Sequence, residues 1–212
     1  MISIEAARGF YQGADAAHDF DHVLRVLRLV ERIGEAEGAD MAVLRAAALL
    51  HDVARAAEHA GGPAHDEAGA ARAREILRGH DPALVEAVAE AIASHRFRGG
   101  EAPRSLEARI LFDADKLDAM GAIGVARAYA VAGALGQRLW AEAPAEFGSR
   151  PPDQGRADLA AKEHTPVHEY VFKLRRLRDS LFTPTARRLA EGRHAFMEEF
   201  FARLEQEVAG QA

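Results

Sequence analysis

A histidine and an aspartate stand side by side at His51-Asp52, inside the apolar run Ala47-Ala48-Leu49-Leu50-His51-Asp52-Val53-Ala54. Burying an unpaired carboxylate costs several kcal/mol or forces it to take up a proton. A bound cation removes that cost, so the pair reads as two ligands of a metal ion. One His-Asp dipeptide is common, and short motifs mislead when taken alone. The reading gains weight only if further histidines and carboxylates stand beside apolar stripes elsewhere in the chain.

Two other stretches meet that condition. His18-Asp19-Phe20-Asp21-His22 lies where a helix from about Asp15 to Glu37 becomes apolar, with Val23, Val26, Leu27, Val30 and Ile33 at helical spacing. His18 and His22 are four apart and share a face; acids there also suit a helix N-terminus. Asp113-Ala114-Asp115-Lys116-Leu117-Asp118 places three carboxylates among Leu106, Ile110, Leu111 and Leu117. A solvated face does not explain that pattern. In chain order the candidate ligands are His22, His51-Asp52 and Asp115, each on a different expected helix. Imidazole nitrogen with carboxylate oxygen suits Mn²⁺, Fe²⁺, Zn²⁺ or Mg²⁺. Such an ion can polarise a phosphoryl group and lower the pKa of bound water.

The elements that must position these groups are all helical. Helices are expected over 4–11, 15–37 and from an Asp40 cap through His51-Asp52 to the Gly61-Gly62-Pro63 breaker. The next runs from Asp66 to Arg78, with His65 just before it, where free backbone N–H groups can hold an anion. Asp81-Pro82 opens a helix reaching His95, and Ser105 caps the one that carries the aspartates. After a break near Gly121 a helix covers 123–140. Periodicity vanishes over 141–164, a long loop and a candidate lid. Thr165-Pro166 and Thr183-Pro184 open the last two helices, and Phe196, Phe200 and Phe201 are expected in the core, with a homodimer contact as the alternative. The loop after His95 carries Arg96, Arg98 and Arg104, which could meet an anionic ligand.

The 212 residues suffice for one sizeable core. At 49% hydrophobic and 28% charged, the composition is that of a soluble globular protein. A net charge of −6 argues against a nucleic-acid partner. The absence of cysteine removes disulfides, thiolate metal sites and cysteine nucleophiles together. No secretory signal and no membrane-spanning run is recognised, so a cytoplasmic location is expected.

The order His, His-Asp, Asp, in the contexts His18-Asp19-Phe20-Asp21-His22-Val23-Leu24-Arg25-Val26, Leu49-Leu50-His51-Asp52 and Asp113-Ala114-Asp115-Lys116-Leu117-Asp118-Ala119, resembles the HD-domain metal-dependent phosphohydrolases. The segment from Tyr170 to Phe201, with Lys173-Leu174 and Arg193-His194-Ala195-Phe196-Met197-Glu198, looks like the C-terminal helices of one short bacterial branch. The resemblance implies an all-α HD-domain helical bundle with additional C-terminal helices, as one domain over 1–212. Its metal core would be about 15–140, its loop 141–164 and its C-terminal helices 165–208. It implies His22, His51, Asp52 and Asp115 as metal ligands; Asp115 is preferred to Asp113 and Asp118 because a basic residue and leucine follow it directly. It implies a divalent ion, Mn²⁺ first, with Mg, Fe, Zn, Co or Ni as alternatives, and hydrolysis of deoxynucleoside triphosphates to monophosphate and pyrophosphate.

His65 and His95 occupy the slots that hold a second metal in some relatives; a mononuclear site, with both free for substrate or water, is the expectation. His65 or Asp118 would take the water's proton, and Lys116, His95 or a loop arginine would face the phosphate charge. Lys116 and Arg25 could also contact phosphate. Alternatives are a phosphodiesterase, dinucleotide hydrolase or 5′-nucleotidase with a binuclear site, and a non-catalytic metal- or nucleotide-sensing module.

Overall fold

Short polar side chains decide where the helices start. The computed structural model describes residues 2–11, 19–59, 61–96, 102–144 and 163–211. After α1 (Ile4–Arg8), Asp19 accepts from the backbone N–H groups of Asp21 and His22 and opens α2 (Phe20–Glu37). Asp40 does the same for α3 (Met41–Leu50), and Asp81, with Pro82 following, for α6 (Pro82–Ala93). Each cap satisfies donors that the first turn leaves without a partner. Between α3 and α6 lie α4 (Arg55–His59) and α5 (His65–Ile76). Ser105 accepts from Ala108 N–H at the start of α7 (Leu106–Asp118). Then come α8 (Gly121–Ala134), α9 (Pro166–Phe172), a 3₁₀ stretch (Leu174–Ser180) and α10 (Pro184–Val208). No strand occurs among the described residues, so the fold is an all-α helical bundle with added C-terminal helices. None of these helices is long and apolar enough to cross a membrane.

The chain forms two compact units, Met1–Asp115 with Phe182–Ala186, and Lys116–Leu181 with Arg187–Ala212. In the first, α2 packs on α3, α3 on α6 and α5 on α6. Val23, Val26, Val30 and Ile33 of α2 are buried, as are Leu44, Leu50, Val88, Ile92, Ile110 and Leu111. Each such side chain stabilises the fold by about 1.5–3 kcal/mol. Gly34 lets α2 approach α3, because a Cβ there would strike the Leu44 and Met41 side chains.

In the second unit, α8 packs on α9, and the 3₁₀ stretch follows α9 directly. Phe172, Leu174, Leu177 and Leu181 are buried, and Tyr170 stacks on Phe201 at 4.2 Å. The three phenylalanines of α10 part company: Phe201 is buried, Phe200 half-buried, and Phe196 exposed. Ala190, His194, Met197 and Phe201 form the inward stripe, at the spacing of one helix face, and Phe196 lies off it. The expectation of core packing fails for Phe196 on that account.

Several expected boundaries move. α2 starts at Phe20, since Asp19 is its cap; His18 and the rest of 12–18 lie outside the described residues. His65 is the first residue of α5 rather than its predecessor, α6 stops at Ala93, and α8 covers Gly121–Ala134, short of Trp140. The largest change is at the centre. α3 ends at Leu50, and His51–Ala54 form a turn before α4, where one continuous helix was expected. Continuing the helix would require the Ala48 and Leu49 carbonyls to accept from residues 52 and 53. The His51 ring instead bonds Ala48 O at 2.8 Å, and the Tyr11 hydroxyl bonds Leu49 O at 3.0 Å. The carbonyl-hungry side chains end the helix at the residues that carry the chemistry.

Candidate metal centre

Six side chains of the first unit converge. His22 comes from the first turn of α2, held there by the Asp19 cap. His51 and Asp52 come from the turn after α3, His65 from the start of α5, His95 from just past the end of α6, and Asp115 from α7. α5 reaches the centre closely because Gly69 lacks a side chain: a Cβ there would lie 3.2 Å from the His51 carbonyl oxygen.

The donor atoms point inward. His22 Nε2 is 3.1 Å from His51 Nε2, 3.6 Å from Asp52 Oδ2 and 3.5 Å from Asp115 Oδ1. His51 Nε2 is 3.7 Å from Asp52 Oδ2. On the other oxygen of Asp52, Oδ1, His65 Nε2 and His95 Nε2 each lie at 3.7 Å. His22, His51 and Asp52 form one group able to hold a metal ion, and Asp52, His65 and His95 a second. Asp52 belongs to both.

The protonation pattern fits a cation. A carbonyl can only accept, so the bond to Ala48 O places the ring proton of His51 on Nδ1 and leaves a lone pair on Nε2. His95 is oriented likewise by Ile92 O. This backbone anchoring of the outer nitrogen is how metal-bound imidazoles are commonly held. Burial pushes His51 down to about 4, with His22 and His95 adding to the effect and Asp52 opposing it, so the ring is neutral and able to ligate. Burial alone would raise Asp52, but His51, His95, His22 and Arg55 around it outweigh that and hold the carboxyl well below its usual range. Among the four expected ligands, Asp115 has the most exposed side chain, 20% against 4% or less for Asp52, His22 and His51.

The three aspartates of α7 have separate fates. Asp113 is fully buried, and its carboxylate accepts from Phe182 N at 2.8 Å and from Thr183 N and Oγ1 at 2.7 Å. It ties α7 to the start of α10. Asp115 faces His22. Asp118 belongs to the second unit, where Arg127 lies 2.9 Å from its Oδ2. Lys116, in that unit too, is buried.

Two site residues escaped the sequence reading. Arg55 Nη1 lies 2.9 Å from His65 Nε2, and Glu58 Oε2 lies 2.7 Å from His65 Nδ1. Their sequence signal was a basic residue three after a buried aspartate and an acid one turn further on. Burial, followed by the Arg55 charge, pushes His65 below its ordinary value. Of the loop arginines, Arg96 pairs with Glu58 at 3.4 Å and Asp66 at 3.7 Å; Arg98 lies outside the described residues.

The chain is similar to known proteins. The HD domain family model matches residues 19–120. The uncharacterised protein YpgQ of Bacillus subtilis is 32% identical over 204 residues, 92% of this chain and 86% of that one. A crystal structure of YpgQ in complex with ADP superposes with a TM-score of 0.71 at 29% identity, over 99% of this chain and all of that one. A predicted HD superfamily hydrolase from an uncultured Thermotogales bacterium gives 0.65 at 31% identity, over 96% of this chain and 90% of that one. With its histidines and aspartates gathered at one buried point, this chain belongs to the HD-domain superfamily of metal-dependent phosphohydrolases.

Proposed function

We propose that the protein hydrolyses nucleoside triphosphates, deoxynucleotides among them, to monophosphate and pyrophosphate, with Mn²⁺ as the preferred ion held by His22, His51, Asp52 and Asp115. The observation that carries the reading is the convergence of His51, Asp52 and Asp115 on His22 Nε2, all three within 3.6 Å of it. The complex of YpgQ with ADP supports a nucleotide as the ligand.

A divalent ion bound there supplies a Lewis acid for a phosphate oxygen and lowers the pKa of a bound water. The chain's own residues do the rest. His51, anchored on Ala48 O, and Asp52, ringed by imidazoles, hold their donor atoms in place. His65 and His95 flank Asp52 Oδ1 and are the groups we assign to the water's proton and to the phosphate charge. Lys116 and Asp118, which follow Asp115 on α7, stay in the proposal in lesser roles, since Asp118 is already engaged by Arg127. We place the reaction in the cytoplasm, with free nucleotides rather than nucleic acid as substrates.

The second group, Asp52 with His65 and His95, favours one other reading: a binuclear site acting on phosphodiesters or on monophosphates. A product-resolved assay on nucleoside mono-, di- and triphosphates, with Mn²⁺ and with chelator, separates the two. Pyrophosphate and monophosphate from triphosphates, lost with chelator, is the expected result. Orthophosphate from monophosphates would replace it with a nucleotidase, and turnover of dinucleotides alone with a diesterase.

A further inference from the structure

The turn that carries His51 and Asp52 is pinned from outside α3. Were α3 to continue past Leu50, Asp52 N–H would bond Ala48 O and Val53 N–H would bond Leu49 O. The chain does otherwise. The His51 ring holds Ala48 O at 2.8 Å, and Val53 N–H turns to Leu50 O at 3.2 Å. One donor, Asp52 N–H, and one acceptor, Leu49 O, are thereby displaced from the helical pattern. Both belong to buried residues, where a backbone group without a partner is costly.

Tyr11 serves both groups with one hydroxyl. It donates to Leu49 O at 3.0 Å from 38 residues away, and its oxygen accepts from the Asp52 backbone N–H. Burial, followed by the Asp52 charge, pushes the phenol well above its ordinary value, so the hydroxyl keeps the proton it donates. The ring is fixed in turn. Tyr11 N–H bonds Arg8 O at the end of α1 at 3.2 Å. The ring centre lies 5.3 Å from that of Phe20, which the Arg8 guanidinium covers at 4.4 Å. Phe20 opens α2 two residues before His22. Tyr11 therefore touches both pieces of chain whose histidines, His22 and His51, meet at 3.1 Å.

We propose that Tyr11 is a positioning residue of the metal centre, its hydroxyl holding the His51–Asp52 turn in the shape that aims both side chains at His22. The inference rests on the metal centre of the proposed function, and not on which phosphate compound is hydrolysed there. Without the hydroxyl, the nearest repair for the two displaced groups is to extend α3. Asp52 N–H would then compete with the His51 ring for Ala48 O, and both side chains would leave their places. Removing one oxygen atom thus weakens metal binding while helix content holds, a combination that loss of an ordinary packing contact does not produce.

The test uses full-length protein and no substrate. Tyr11→Phe keeps the ring and removes the hydroxyl. Its Mn²⁺ affinity is expected to fall about tenfold or more, the range for losing a group that orients a metal ligand. The visible spectrum of its Co²⁺ form, which reports ligand geometry, is expected to change, and helical circular dichroism to be no lower. Ile33→Val is the control for general loosening, since Ile33 is buried on α2 about three turns from His22. It is expected to lower the melting temperature and leave both metal readouts alone. Wild-type Mn²⁺ affinity and an unchanged Co²⁺ spectrum in Tyr11→Phe would overturn the proposal, and so would an equal loss of affinity in Ile33→Val. If Tyr11→Phe failed to fold, amide exchange in the metal-free wild type decides: slow exchange at Asp52 N–H is expected, and fast exchange would overturn the inference. A wild type that bound neither Mn²⁺ nor Co²⁺ would overturn the metal centre and this inference together.

Discussion

Among the described residues, two histidine clusters occur, one in each unit, and the same residue types do different work in them. In the second unit, His168 Nδ1 accepts from Thr165 N–H while the Thr165 hydroxyl accepts from His168 N–H, a reciprocal cap on α9. His168 Nε2 lies 3.1 Å from the Glu142 carbonyl. Beside it, His164 Nε2 meets Glu169 at 3.2 Å, and Glu169 is also held by Lys173 at 3.1 Å. Both nitrogens of His168 are spent on backbone. In the first unit, His51 and His95 spend only Nδ1 on backbone and turn Nε2 toward a shared carboxylate. A histidine cluster becomes a candidate metal centre when the rings turn a nitrogen away from the backbone and those nitrogens converge on a shared carboxylate.

Asp52→Ala should break the first cluster most severely. It removes the carboxylate common to both groups of ligands, so Mn²⁺ content should fall to background. Hydrolysis should drop by about a thousandfold or more. Helical circular dichroism should persist, because the buried apolar contacts of α2, α3 and α6 are untouched. Full metal-dependent turnover in this variant would show that the cluster has been assigned to the wrong chemistry.

Asp113→Ala tests the contrast within one helix. The three donors of Phe182 and Thr183 would lose a buried acceptor, at a cost of about 3–5 kcal/mol. Chemical denaturation should show that loss, while the folded fraction still binds one equivalent of Mn²⁺. Loss of the ion with stability intact would instead make Asp113 a ligand.

Acid should act on the first cluster through His51. Its pKa falls from an ordinary 6.5 to about 4 in the folded chain. Between those values the unfolded chain binds the extra proton, so stability falls as pH drops through that window and levels off below it. The loss in the metal-free protein is on the order of 3 kcal/mol. His51→Gln should flatten that slope in denaturation series run from pH 7.5 to 4; an unchanged slope would mean the ring is not held neutral by burial.

His168→Ala is the mildest perturbation. The α9 cap loses one arm of its box, worth about 1–2 kcal/mol. Melting temperature should drop while Mn²⁺ affinity stays constant. A lost ion would erase the distinction between the two clusters.

Much of this was legible beforehand, and the reasons differ by residue. Asp19, Asp40, Asp81, Ser105, Thr165 and Thr183 mark helix starts because a short polar side chain bonds its own next few N–H groups, a local event. The apolar stripe of α2 is local too. The turn at His51 was not legible, because the Tyr11 hydroxyl that takes Leu49 O comes from 38 residues away. Phe196 was misplaced because a phenylalanine's burial depends on which stripe of α10 meets its neighbours, not on its hydrophobicity.

The sequence by itself determined the helical class, most of the caps and the identity of the residues able to ligate a metal, since those follow from side-chain chemistry and short-range spacing. Only the tertiary structure decided how they are spent. Asp113 and Asp115 are two residues apart and chemically identical, yet one holds Phe182 and Thr183 just ahead of α10 and the other faces His22. His51 and His168 are the same side chain, yet one keeps Nε2 for the centre. A hydrogen-bonding atom's use is fixed by whichever partner the fold brings within about 3 Å. For these residues that partner comes from elsewhere in the chain or from a local backbone shape that long-range contacts impose.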